Sequence, residues 1–426
     1  VEMNTEEREA LMVAKERLYR MTEPDKNMLF VALADEFKRQ RAQGNINRWL
    51  GEFAIRVDEL PPKKNFWPWD KTKLYDLYLT DEEWTTARNA INDLRNWRLS
   101  VGKDDGGTNQ VLSTVRSQDD VPWRSGPLIF ISTALTHLAG GSAGREGAAI
   151  QLGGSIANLL GRWIHLDEED RHVIVMCGMS AAFSAVFGTP MAAAVFSMEV
   201  VSVGIMYYAA LVPCVIASII ASKFAAGFGI NPESFHVVNI PELTIETGLK
   251  MVLVAIACAA ISIIFCMALQ GVSKLYAKFL KNPYIRIVAA SAIIIVITLF
   301  LRTSDYMGAG NNLIELAVEN GQARPLDFFW KLVLTALTMR AGFRGGEIVP
   351  SFCIGATFGC IMGHLIGLSP SICAAAGMAA LFCGVTNCPI TSILIAFELF
   401  GFRGASYYLI AVSISYAVSG YHGLYK

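Results

Sequence analysis

The stretch Gly144-Arg145-Glu146-Gly147-Ala148-Ala149-Ile150-Gln151-Leu152-Gly153-Gly154 decides how this chain is read, because an altered copy of it stands in the second half. The copy begins Gly345-Gly346-Glu347-Ile348, with Gly355 in the place of Gly154. Downstream, Gly178-Met179-Ser180-Ala181-Ala182-Phe183 is answered by Gly377-Met378-Ala379-Ala380-Leu381-Phe382. Pro190 is then answered by Pro389 and Glu199 by Glu398, at unchanged spacing. Chance similarity between Ala/Gly-rich helices does not keep Gly-Met, Phe, Pro and Glu in one register. Both copies are apolar enough for a bilayer. Two related apolar halves, each with a glycine-rich break and a lone carboxylate, have the sequence form of a transporter built from repeats.

The composition is consistent with that reading. Of 426 residues, 53% are hydrophobic and 17% charged, with a mean hydropathy of +0.40. The average hides two regimes: residues 1 to about 120 are polar, and from about 126 onward the chain is mostly apolar. Candidate spans are 172–187, 190–204, 205–229, 247–270, 284–301, 329–341, 349–367, 371–385, 389–400 and 404–418. Several fall short of the roughly 20 residues of a full crossing. Short, Gly- or Pro-interrupted spans predict helices that stop inside the membrane, where freed backbone groups face a protein-lined cavity. The expected fold is therefore an all-α integral membrane protein with inverted repeats and re-entrant helices.

The nine cysteines follow residue 176, are odd in number and lack metal-ligand spacing. They read as small buried hydrophobes, with no disulfide framework, metal or cofactor expected. A net charge of −1 predicts no nucleic-acid partner. Val1 opens a charged helical segment with no cleavable signal peptide. The connection Lys274 to Arg286, with Lys278 and Lys281, is basic and is expected on the cytoplasmic side. The connection at about 230–246, with Glu233, Glu242 and Glu246, is then expected outside.

Residues 1–104 read as a polar helical segment of unknown role. Stretches 5–20 and 28–43 look amphipathic, and Thr80-Asp81-Glu82-Glu83 is a capping box opening a helix to about Leu99. A small soluble helical domain is the main reading, with a membrane-surface helix, suggested by Trp67 and Trp69, as the alternative. Residues 105–426 form the membrane domain: repeat one about 105–229, repeat two about 247–418, and a terminal pore segment 419–426. In repeat two, the long spans 247–270 and 284–301 precede the loop Gly308-Ala309-Gly310-Asn311-Asn312. No apolar span precedes the comparable loop Gly106-Gly107-Thr108-Asn109-Gln110-Val111, so the first repeat is expected to lack two transmembrane helices.

The chemistry of the breaks points to an anion. A helix amino end offers unpaired N–H groups and a positive dipole end, and flanking glycines let an ion approach them. Glu146 at such an end competes with an external anion: ionised it plugs the site, protonated it is released. A glutamate capping its own helix is the plainer alternative. Gly346-Glu347-Ile348 opens the related helix, expected to aim its amides at the same point from the opposite side. Thr108 and Tyr425 offer neutral hydroxyl donors, and Gly107, Asn109, Gly144, Arg145, Gly147, Gly346 and Ile348 complete the candidate anion site. His137, His364 and His422 are scattered and read as packed or interfacial. Glu199 and Glu398 read as structural.

These residues resemble the CLC family of chloride channels and anion/proton antiporters over about 105–426. Gly144-Arg145-Glu146-Gly147 matches the family's Gly-Arg-Glu-Gly motif, which implies that Glu146 is the external gate and proton carrier. Gly346-Glu347-Ile348-Val349-Pro350 occupies the place of the Gly-x-Phe-x-Pro motif, the loop at Thr108 that of the Gly-Ser-Gly-x-Pro filter, and Tyr425 that of the pore tyrosine. Thr108 replaces the filter serine, Glu347 an apolar residue, and Val200 an internal proton glutamate. This combination resembles the fluoride-exporting branch, and a protonated Glu347 is expected to donate to fluoride directly.

The resemblance implies a homodimer in the cell membrane, with the apolar spans around 190–229 and 389–418 as candidate interface helices. It also implies a non-enzymatic protein exporting fluoride in exchange for protons. A chloride/proton antiporter or passive chloride channel of the same fold is the nearest rival. A non-transporting membrane protein carrying an N-terminal binding module is the second.

Overall fold

A computed structural model describes residues 125–201, 206–230, 232–420 and 423–424. The expectations for residues 1–104, the missing first-repeat helices, Gly107, Thr108, Asn109, His422 and Tyr425 lie outside the described residues.

The described chain is helical. Repeat one contributes α1 (Ser125–Leu138), α2 (Glu146–Trp163), α3 (Glu168–Phe187), α4 (Pro190–Glu199), a 3-10 turn at Tyr208–Ala210 and α5 (Leu211–Gly227). Repeat two contributes α6 (Ile245–Phe279), α7 (Pro283–Leu301), α8 (Asn311–Glu319), α9 (Asp327–Ala341), α10 (Ile348–Ile366), α11 (Pro370–Thr386), α12 (Pro389–Phe400) and α13 (Ala405–Ser419). Four segments are long and apolar enough to cross a membrane: Tyr208–Gly227, Ile245–Phe279, Pro283–Leu301 and Ile348–Ile366. The short apolar helices Pro370–Thr386 and Pro389–Phe400 lie beside them in sequence.

The halves break at equivalent places by equivalent means. Gly188 (φ 72°) ends α3 and Pro190 starts α4; Asn387 (φ 58°) ends α11 and Pro389 starts α12. A left-handed residue stops the helix, and proline two residues on cannot continue it but is preorganised to begin the next.

Close helix packing recurs too, with one correction. Sequence register sets Gly154 against Gly355, but the glycine that meets Gly178 main chain to main chain is Gly153. Gly355 meets Gly377 in the same way, and a Cβ there would lie 2.6 Å from the Gly377 carbonyl oxygen. The contact face of a helix, more than its alignment to a distant copy, selects which of two adjacent glycines is needed.

Glu199 and Glu398 tie the halves together. The Glu398 carboxylate accepts the amides of Met191 and Ala192, both at 2.9 Å, at the start of α4. Glu199 reciprocates at the start of α12, accepting the Ile390 amide (3.0 Å), the Thr391 amide (2.8 Å) and the Thr391 hydroxyl (2.6 Å). Each carboxylate thus satisfies the orphan amides and positive end of the other repeat's helix. Between them, Phe183 stacks on Phe196 at 4.9 Å, and Phe352 packs edge-on against Phe382 at 5.0 Å. Phe196 and Phe382, 6.2 Å apart, join the two pairs across the repeats.

A second correction concerns Lys274 to Arg286. Most of it is not a loop: α6 runs 35 residues to Phe279, and only 280–282 separate it from α7. At 1.5 Å per residue the helix is roughly 50 Å long, exceeding a hydrocarbon core of about 30 Å. The hydropathy ends before the helix does, and its last turns carry Lys274 and Lys278.

Candidate functional site

The two glycine breaks meet. Gly144 N–H donates to the Gly346 carbonyl and Gly346 N–H to the Gly144 carbonyl, both at 2.7 Å. This antiparallel bridge brings the amino ends of α2 and α10 to one point. Neither end is closed by a side-chain cap from its preceding residue, Arg145 or Glu347. The site therefore consists of two dipole-bearing helix starts with glycine at the point of contact, so no β-carbon screens the main chain.

Glu146 lies folded into this crossing. Its side chain is 1% exposed. The carboxylate lies over Gly144, where any Cβ would collide with Oε2, and a Cβ on Gly346 would be 2.8 Å from the same oxygen. Oε2 is buried without a hydrogen-bond partner. A buried oxygen left so costs on the order of 1–3 kcal/mol, and more when the group is charged. Gly147 N lies 2.8 Å from the same Cβ position on Gly346, and Ile348 is fully buried at the start of α10.

The structure does not bring every expected residue to the crossing. The Arg145 side chain turns away, pairing at 3.1 Å with Glu233 of the inter-repeat connection, and is itself 58% exposed. Glu347 accepts at 2.9 Å from Arg340 near the end of α9, so its carboxylate is engaged as an ion-pair acceptor. A direct donor role toward an anion requires that pair to break. His137 lies 3.0 Å from the Thr133 carbonyl one turn away, and His364 lies 2.9 Å from the Gly321 carbonyl after α8, so both rings contact main-chain oxygens.

Sequence reasoning passed over four groups. Arg340 and Lys331 are the charged residues of the apolar span 329–341, and charge inside such a span is the signal that was there to be used. Lys331 is fully buried and donates to the carbonyls of Gly308 (2.7 Å) and Tyr306 (3.0 Å). Asp327, also fully buried, accepts from the Tyr306 hydroxyl at 2.7 Å and from Arg324 Nε at 3.0 Å. Glu233 holds Arg145 and, at 3.2 Å, Asn311 at the start of α8. Partial burial pushes the Glu233 carboxyl above the usual range, against the pull of Arg145 and Asn311. No local motif marks that residue.

The chain and its fold are matched by known proteins. A family model described as voltage gated chloride channel covers residues 95–420. The chain belongs to that family, the CLC family. Its members are transporters and channels, and this chain is a membrane-embedded protein of that fold. The chloride/fluoride channel protein of Pseudomonas syringae pv. tomato is 34% identical over 333 residues, spanning 76% of this chain and 74% of that one. The H(+)/Cl(-) exchange transporter ClcA of Vibrio cholerae serotype O1 is 26% identical over 294 residues, spanning 65% and 62%. Among solved structures, a CLC-type fluoride/proton antiporter superposes with a TM-score of 0.73 at 32% identity, covering 79% of this chain and 86% of that one.

Proposed function

We propose that this CLC chain is a secondary active transporter of the plasma membrane that exports fluoride in exchange for protons. One observation carries the reading: a buried carboxylate, Glu146, lies against Gly144 and Gly346 with an unpartnered oxygen where two helix amino ends converge. An ionised carboxylate there occupies the position an anion would take. Protonation removes the charge, weakens its hold on the helix ends and frees the position. The proton then travels with the side chain while the anion travels through the vacated place. Exchange follows because one negative charge replaces another.

Glu347 is the second carboxylate of the pathway, a relay held by Arg340 between visits of an ion or proton. Gly144, Gly147, Gly346 and Ile348 form the anion position; Gly107, Thr108, Asn109 and Tyr425, outside the described residues, are assigned to the same pathway on sequence alone. Arg145 acts at the outer mouth through Glu233. The transport domain is 105–426, with the basic end of α6 toward the cytoplasm. Exposed apolar side chains such as Met191, Val212 and Ile390 support a homodimer through α4, α5 and α12, with one pathway per subunit.

Fluoride is favoured by the carboxylate at 347, by Val200 in place of a proton glutamate, and by the name of the Pseudomonas relative. The second reading, chloride/proton exchange, draws on the name of the Vibrio relative. Liposomes containing the purified chain and loaded with fluoride should release it with coupled proton uptake. Faster release of chloride than of fluoride would select the second reading, and release of neither would refute both.

A further inference from the structure

Lys331 is a fully buried lysine inside the membrane domain, and the exchange chemistry described above makes no use of it. Burying an ammonium is tolerable only when hydrogen bonds and a counter-charge compensate it. The hydrogen bonds are present: Nζ donates to the Gly308 and Tyr306 carbonyls at 2.7 and 3.0 Å, distances that suit a charged donor. The counter-charge is not. Asp327, one turn earlier on α9, is committed to the Tyr306 hydroxyl and to both the amide and Nε of Arg324. Arg324 in turn also pairs with Asp305. Among the described residues, no carboxylate forms an ion pair with Lys331.

The chain of contacts from Nζ leads to the crossing. The Gly308 carbonyl that accepts from Lys331 also accepts the Ala143 amide at 3.1 Å, and Gly308 N–H donates to the Gly141 carbonyl at 2.9 Å. Ala143 immediately precedes Gly144, whose bridge to Gly346 defines the site. On the other side, Gly310 (φ +93°) passes so close that a Cβ there would lie 3.2 Å from Nζ and 2.9 Å from Sγ of Cys353 on α10. The positive charge thus sits behind the Ala143–Gly144 turn that leads into α2 at Glu146, and beside α10, which opens next to Gly346.

We propose that Lys331 is the fixed counter-charge of the anion position, so that the crossing is stable only while one negative charge occupies it. Either the Glu146 carboxylate or the transported anion supplies that charge. When a proton neutralises Glu146, the unbalanced ammonium draws an anion in; when the anion leaves, the carboxylate returns. The same ammonium holds Tyr306 and Gly308 in register, which makes it a positioning residue as well. This rests on the exchange reading above, with Glu146 as the alternating group.

The test is fluoride binding to purified protein by calorimetry, measured in a Glu146→Gln background where no carboxylate competes. Adding Lys331→Met or Lys331→Gln should weaken binding about tenfold or more, the scale of one lost charge across a partly polar interior. Adding Lys331→Arg, which keeps the charge in a bulkier head, should retain clearly more affinity than either neutral variant. A purely structural lysine predicts losses that follow side-chain shape, with Arg as damaging as Met; that result, or unchanged affinity in the Met and Gln variants, overturns the inference. Size-exclusion profiles identify a variant that fails to fold, and the Gln variant keeps a donor for the two carbonyls if Met does not fold. Absence of fluoride binding in the Glu146→Gln parent would count against the exchange reading itself, a distinct outcome.

Discussion

The two helix breaks at 144–147 and 345–348 share an ancestry visible in sequence and a hydrogen-bonded contact in space, yet their carboxylates are treated oppositely. Glu146 is folded inward, 1% exposed, with an oxygen that no donor satisfies. Glu347, one break away, keeps a side chain 16% exposed and holds a guanidinium at 2.9 Å. A carboxylate held by a guanidinium is an anchor or a relay; one with a buried, unsatisfied oxygen and no ion-pair partner is ready to be exchanged. The asymmetry lies in the neighbours. Arg340 reaches the second glutamate from α9, whereas the arginine beside the first is drawn off by Glu233.

The largest effect should come from Glu146→Gln, which cannot ionise. Fluoride-driven proton movement should cease in paired liposome recordings, while fluoride release persists as a leak. The glycines sharpen the contrast next. At Gly346 an added Cβ would lie 2.8 Å from the Gly147 main-chain nitrogen, so the helix starts themselves must separate. Gly346→Ala should lower flux about tenfold, the scale of a displacement of that order at a positioned site. At Gly144 the three atoms nearest the added Cβ all belong to the Glu146 side chain. Gly144→Ala should therefore expel the carboxylate, leaving flux and reducing the number of protons moved per fluoride.

A smaller change is expected from Arg340→Gln. Unpairing Glu347 should slow exchange a few-fold, yet leave the proton-to-fluoride ratio intact, because coupling resides at Glu146. A changed ratio would mean that both breaks share the coupling. The least functional effect belongs to the reciprocal caps. Glu199→Ala removes the acceptor for two amides and a hydroxyl and should cost about 2–4 kcal/mol. Thermal unfolding in detergent measures it. Glu398→Ala, which frees two amides at a more exposed helix start, should cost less.

Much of this was legible in the chain. The repeated Gly, Pro and Glu positions marked both breaks, the helix punctuation and the two capping glutamates, because backbone geometry demands those residues wherever it recurs. Hydropathy located the spans from 172 to 418 but ended α6 too early, since a helix can run past the apolar layer on a mixed stretch that carries Lys274 and Lys278. The partners were not legible. Arg340 reaches Glu347 from the preceding helix, Lys331 reaches Gly308 from beyond α8, and Glu233 reaches Arg145 from the connection between the repeats. Such pairings are set by how helices pack, and a sequence shows only that a charge stands in an apolar span. The choice of Gly153 over Gly154 is of the same kind: one residue turns the contact face by about 100°, following from 3.6 residues per turn.

The central claim is that the Glu146 carboxylate and the transported anion compete for one position. Calorimetric titration of fluoride into the wild-type protein and Glu146→Gln, across a pH series, addresses it directly. Wild-type affinity should rise as pH falls and the carboxylate is neutralised, while the Gln variant should bind tightly with no such slope. Equal affinities without pH dependence in both proteins would contradict the account.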